Sequence, residues 1–200
     1  LYVRETPPGR MAFVIGTQQG QPPPQPLTSP LGHVRMILEN DRGDTTFACA
    51  GDRLSVRWLD KRPGRSRGLK LRELVDLIEF ASDVYLQSPE FETPFAQWRH
   101  CHPQIMQAGR ERGQENLTSS FASAIFERAM LDGVARLAGE PLFNLVADDR
   151  LGIRPAEVHP ELADLPLIAT LPPHAATEVF IRHTVGWADT LHAAELPDQD

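Results

Sequence analysis

The sequence predicts an α+β protein, a three-stranded antiparallel meander followed by a helical bundle. Three observations carry this expectation. Two apolar, β-rich runs flank the tight turn Asn40-Asp41-Arg42-Gly43. Apolar residues then recur at three- and four-residue spacing over two long stretches between residues 69 and 146. Thr93-Pro94 and Gly139-Glu140-Pro141 supply a helix start and a helix stop.

Residues 10–17 (RMAFVIGT) read as the first strand, because the run is apolar and contains β-branched residues. Residues 18–30 carry five prolines. Proline has no N–H and a fixed φ, so this segment is expected to be an exposed loop, long for a compact domain. Residues 33–39 (HVRMILE) form the second strand, and residues 44–50 (DTTFACA) form the third across a turn in which Gly43 is free to take positive φ. Residues 51–68 are expected to be irregular, with the basic run from Lys61 to Arg67 read as a solvated loop and Trp58 as a lid over the core.

Residues 69–86 repeat Leu71, Leu74, Val75, Ile78, Ala81 and Tyr85 on one helical face. Ser88-Pro89 ends that helix. Thr93 caps the next, with Pro94 at its first position. Pro103 sits inside the second helix and is expected to kink or split it. His100-Cys101-His102 is not expected to bind metal, since adjacent helical residues point about 100° apart and cannot converge on one ion. Residues 118–146 give the longest helical pattern, capped by Thr118 or Ser119. Ala122, Phe126, Ala129, Met130, Gly133, Val134 and Leu137 form its apolar stripe, and the small residues among them admit a close neighbour. Glu127 and Asp132 interrupt this surface. They are expected to pair with arginines such as Arg128 and Arg136, because an unpaired carboxylate beside a core is costly. Residues 148–173 contain five prolines and read as a wrapping linker, and residues 177–185 (TEVFIRHTV) as a lone strand ended by Gly186.

Composition narrows the function. A hydrophobic content of 41% supports a core, and 24% charged residues support a soluble surface. The formal net charge of −7 argues against nucleic acid as a partner. No apolar run approaches the ~20 residues a bilayer span requires, and no signal peptide is legible. Two cysteines, Cys49 and Cys101, make neither a disulfide framework nor a paired-cysteine zinc site, which suits a reducing, cytoplasmic setting. The chain begins at Leu1 rather than Met, so residues upstream are expected.

The run Ile125-Phe126-Glu127-Arg128-Ala129-Met130-Leu131-Asp132, followed by Gly139-Glu140-Pro141-Leu142 and Leu145, resembles the enolase superfamily, in the branch of mandelate racemase and muconate lactonizing enzyme. The resemblance implies an N-terminal capping domain over residues 1–147. A linker and the first strand of an incomplete (β/α)8 barrel would follow over residues 148–200. It implies a lyase or isomerase that removes the proton α to a carboxylate, as an acid-sugar dehydratase, racemase or cycloisomerase does. Magnesium is implied as cofactor, stabilising the enediolate, with a small carboxylate, such as an acid sugar, as substrate and a homo-oligomer as the full-length state. Base and metal ligands would lie on later barrel strands, past residue 200, so these residues contribute no catalytic or metal-ligating side chain. Their part would be two covering loops, about 18–33 and 49–68, with His183 and Thr184 contacting substrate at the end of the first barrel strand. Ala50-Gly51-Asp52 departs from the Gly-Glu pair common after the third strand, and the proline-rich loop is unusual, so substrate identity does not transfer. A reading from another class is a free-standing α+β interaction module using the proline-rich loop for recognition.

Overall fold

The computed structural model describes residues 30–180 together with two short strands before them, Tyr2–Val3 (β1) and Ala12–Gly16 (β2). The fold is α+β. Leu31–Glu39 (β3) and Thr45–Arg53 (β4) pair antiparallel over nine residues, from Leu31 opposite Arg53 to Glu39 opposite Thr45. β2 pairs antiparallel with β3, and β1 with β2, giving the order β1-β2-β3-β4. The turn between β3 and β4 is built as its sequence requires. The Asn40 side-chain oxygen accepts from the N–H groups of Arg42 and Asp44, both at 2.9 Å, and Gly43 takes φ +82°.

Period-two alternation decides which face of the sheet is covered. Val34, Met36 and Ala48 are buried, while Arg35, Phe47 and Cys49 face outward, with the Arg35 guanidinium 4.1 Å from the Phe47 ring centroid. Both strands exceed their expected length. Residues 51–53, expected to be irregular, continue β4 because β3 begins two residues early and presents Leu31, Gly32 and His33 as partners.

A short helix, Val56–Leu59 (α1), follows, its Val56 and Leu59 buried. Arg67–Gln87 (α2) begins two residues before the apolar periodicity, since the Ser66 hydroxyl accepts from the Leu69 N–H at 3.2 Å and caps it. Gly68 is tolerated within that first turn. Pro94–Glu111 (α3) starts as read, with the Thr93 hydroxyl accepting from the Ala96 N–H at 3.2 Å. Pro103 does not split α3. Its side chain is exposed, so the carbonyl it leaves without an N–H partner is at the solvent face.

Asn116–Ala138 (α4) is the central element. It lies across β3 and β4 on one side and packs against α2 and α3 on the other. The expected single pattern over residues 118–146 is two helices. Gly139 ends α4 in the left-handed region at φ 66°, and Leu142–Ala147 (α5) follows. The expected caps are also corrected. Glu115 occupies the cap position. Thr118 and Ser119 sit buried inside the helix, where the Thr118 hydroxyl donates to the Leu59 carbonyl at 2.9 Å and the Ser119 hydroxyl to that of Glu115 at 3.1 Å. Small residues set the approach distances. A Cβ on Gly133 would lie 2.9 Å from Ala48 Cβ, and one on Gly109 would lie 2.7 Å from Ser119 Cβ with the hydroxyl closer still. The core between the layers holds Leu74, Leu77, Ile78, Ile105, Ile125 and Phe126, with Tyr85 stacked on Phe126 at 5.4 Å between centroids.

Beyond α5 the chain turns back. The Phe95 N–H donates to the Leu151 carbonyl at 3.1 Å, and Leu151 is buried. Three single 3-10 turns then run over Pro155–Glu157, Pro160–Leu162 and Ile168–Thr170, as a proline-rich wrapping segment would. The strand expected over residues 177–185 is not formed in its described part. Residues 177–180 have no strand geometry, and Val179 and Phe180 are exposed. A strand needs a neighbour for its N–H and C=O groups, and among the described residues none lies alongside this segment. The remainder of that strand and the proline-rich loop at 18–29 lie outside the described residues.

Candidate functional site

Residues 54–70 build the most chemically loaded place on the described surface. Asp60 follows α1 and is 2% exposed. A buried carboxylate must be paired, and Arg62 does this in bidentate fashion, with Nη2 donating to Asp60 Oδ2 at 2.6 Å and Nε to Oδ1 at 3.0 Å. Arg62 also donates to the Gly113 carbonyl at 2.9 Å and to Glu73 on α2, which in turn pairs with Arg65. Lys70 donates to the Asp60 carbonyl at 2.9 Å. The Arg62 hydrogen bonds hold the Asp60 carboxyl below its ordinary pKa against an opposing push from burial. Arg62 itself is held above its own, chiefly by its bonds to Asp60. Thus the basic run is not simply a solvated loop, for Arg62 is its folded-in anchor.

That anchor shapes a groove of about 330 Å³. Arg57, Lys61, Arg65, Arg67 and Lys70 line it, with Asp60 at its base and Val56 as an apolar wall. Among the described residues, Arg57 and Arg67 make no ion pair. The N-terminus of α2 borders the groove, and its first turn holds no acidic residue.

A second cluster lies inside the helical layer. His102 stacks on Trp98 at 4.9 Å between centroids, and its Nδ1 lies 3.0 Å from the Ser123 hydroxyl. Burial, reinforced by the charge of Arg99, lowers the His102 pKa and favours the neutral ring. The hydroxyls of Tyr85 and Ser82 are buried and make no hydrogen bond of good geometry. Burial, together with Cys101 and Glu127 nearby, raises the Tyr85 pKa, and burial pushes the Cys101 thiol up to about 12. A hydroxyl beside an imidazole is the start of a nucleophile and base pair. Here Ser123 is 1% exposed and Cys101 is fully buried as a thiol, so no substrate reaches either. The cluster orients helices; it is not an active site.

The two singled-out carboxylates of α4 behave differently. Asp132 pairs as expected, accepting from Arg136 Nε at 2.8 Å and from the Cys49 backbone N–H at 3.1 Å. Burial alone would raise its pKa, but those two bonds lower it. The second bond covers an outward-pointing donor of the edge strand β4. Among the described residues Glu127 makes no ion pair, and Arg128 binds Asp52 at 3.0 Å instead. Burial raises the Glu127 pKa, and the charge of Arg128 offsets this only in part.

His183 and Thr184 lie outside the described residues. His100, Cys101 and His102 diverge, His100 toward Gln104 at the surface, Cys101 into the core and His102 onto Ser123. Among the described residues no group of three or more His, Cys, Asp or Glu side chains could hold a metal ion, so none of them fits the magnesium implied by the resemblance. No helix among them is long and apolar enough to cross a membrane. The cationic groove was missed in the sequence because the run from Lys61 to Arg67 supplies only part of it. Arg57 and Lys70 flank the run, and the bonds of Arg62 and Lys70 to Asp60 tie its two ends together. Compared with known proteins, the chain matches no family model, no curated protein and no solved structure.

Proposed function

We propose that this chain is the substrate-covering N-terminal part of a metal-dependent enzyme of the enolase superfamily, one that removes the proton α to a carboxylate as an acid-sugar dehydratase, racemase or cycloisomerase does. The observation that supports this reading is the order of elements. An antiparallel sheet comes first, then helices, the longest of which, α4, carries Glu127-x-Ala129-x-x-Asp132, lies across the sheet and stops at Gly139. In this reading the antiparallel strands form the meander of a capping domain, and residues 148–200 lead into a barrel. The segment between β4 and α2, residues 54–66, which carries the short helix α1, is one of two covering segments that close over the barrel mouth and exclude water. Magnesium, the catalytic base and the metal ligands belong to the barrel, and the small carboxylate substrate binds between the two parts of a cytoplasmic homo-oligomer.

The deciding experiment is α-proton exchange in D₂O by the parent enzyme, on a panel of acid-sugar carboxylates, before and after chelation. Chelator-sensitive exchange is expected. Exchange by residues 1–200 alone, or none by the parent across the panel, would sink the proposal. His183→Ala in the parent tests the substrate contact, and unchanged kcat and KM would remove His183 from the site. Capture of a partner through residues 18–30, with no exchange by the parent, would favour the interaction module.

A further inference from the structure

The cationic groove supports a second, separate assignment that does not rest on the enolase-like reading. The chain is acidic overall, at −7, yet five cationic side chains converge on one cavity. The single carboxylate there, Asp60, is already held by Arg62 in bidentate fashion, and Glu73 beside it is held by Arg62 and Arg65. Glu115 accepts from the Lys61 backbone N–H at 2.8 Å, so all three carboxylates, Asp60, Glu73 and Glu115, are spent on positioning. Arg57 and Arg67 keep free guanidinium forks among the described residues, and the only hydrogen bond described for the Lys61 ammonium goes to a carbonyl, that of Arg57, at 2.9 Å. Such a surplus of donors without acceptors suits an oxyanion with several oxygens and more than one charge.

The backbone adds to this. Ser66 satisfies the Leu69 N–H, which leaves the N–H groups of Arg67 and Gly68 at the positive end of a 21-residue helix. A Cβ on Gly68 would meet nothing within 4 Å, so the space over that backbone is open. The cavity of about 330 Å³ falls at the lower end of the range for small-molecule sites, with room for a phosphoryl group and a small organic part.

We propose that the groove formed by Arg57, Lys61, Arg65, Arg67 and Lys70 binds a phosphoryl group, carried by free phosphate or by a phosphorylated small molecule. Asp60 and Arg62 are its positioning residues. The test is an NMR titration of the 200-residue chain with inorganic phosphate and, separately, with glycerol 1-phosphate, at constant ionic strength. Saturable shifts at the amides of Arg67 and Gly68 are expected. The double variant Arg57→Gln/Arg67→Gln should weaken binding at least tenfold without changing the thermal midpoint, and Arg110→Gln on α3 should bind as the parent does. The single variant Arg67→Gln, at an exposed position, gives the same reading with a smaller loss should the double variant unfold. Tighter binding of the monoester assigns the groove to a phosphorylated small molecule, and equal or tighter binding of phosphate assigns it to the free ion. Affinity within twofold of the parent in both Gln variants, or shifts scattered over the surface without saturation, would overturn the proposal.

Discussion

Gly109→Ala is a sharp test of how α3 and α4 meet. The added Cβ would lie 2.7 Å from Ser119 Cβ, whereas carbon atoms rest at about 3.5–4.0 Å. The helices must part by roughly 1 Å or the Ser119 backbone must shift, and overpacking of this kind costs about 1–3 kcal/mol. The Ser119 hydroxyl must also leave its bond to the Glu115 carbonyl, at about 0.5–1.5 kcal/mol. Against this, alanine is the better helix former by up to about 1 kcal/mol. The net expectation is a loss of about 2 kcal/mol, or roughly 4–8 °C in Tm for a chain of this size. Urea titration followed by circular dichroism measures it. Ser119→Gly removes the obstructing atoms and should cost about 1 kcal/mol alone. The double variant should be at least ~1 kcal/mol more stable than the two single losses added together. A Gly109→Ala protein as stable as the parent, or more so, would refute the close approach of these helices.

Phe126→Ala should cost about 3–5 kcal/mol by urea titration, because the ring is fully buried and stacked on Tyr85. Asp60→Asn tests the buried pair through pH. The Asp60 pKa is depressed in the folded state, so its contribution is complete above the unfolded value of about 3.9 and is lost as pH falls through the folded value. The stability gap between parent and variant should therefore be full at pH 6 and close in acid, and a gap that does not change with pH would contradict the pairing. Glu127 has the opposite sign. Its raised folded pKa means that ionisation costs stability as pH rises from the unfolded value through the folded one. Glu127→Gln should thus stabilise the protein at pH 7 and have little effect at pH 4, and equal effects at both would show that Glu127 has a partner.

The α+β class and most element positions were legible because local signals and tertiary packing agree in this chain. Thr93-Pro94 and Gly139 act locally, and each sits where its backbone chemistry puts it. The apolar face of α2 was readable for the same reason, since Leu74, Ile78, Ala81 and Tyr85 are all buried. Features set by distant partners were not readable. Residues 51–53 became strand because of Leu31, Gly32 and His33. Thr118 and Ser119 resemble caps, yet Lys61 and Leu59 draw this end of α4 under the chain. The groove was hidden in the same way, because the Asp60–Arg62 pair that shapes it looks in sequence like part of a charged loop.

The Cys49–Asp132 bond spans 83 residues, and this separation has a consequence for synthesis. β3 and β4 leave the ribosome before α4, with Val34, Met36 and Ala48 on the face that α4 covers. At the usual pace of translation, α4 arrives about 4–17 s later. Hairpins form in microseconds, so the nascent chain must carry a paired, one-sided apolar ribbon through that interval. The edge donor at Cys49 is open over the same period, since Asp132 has not yet been made. The protein is thus most prone to aggregate before α4 is complete, and codon choice within α2 and α3 sets how long that exposure lasts.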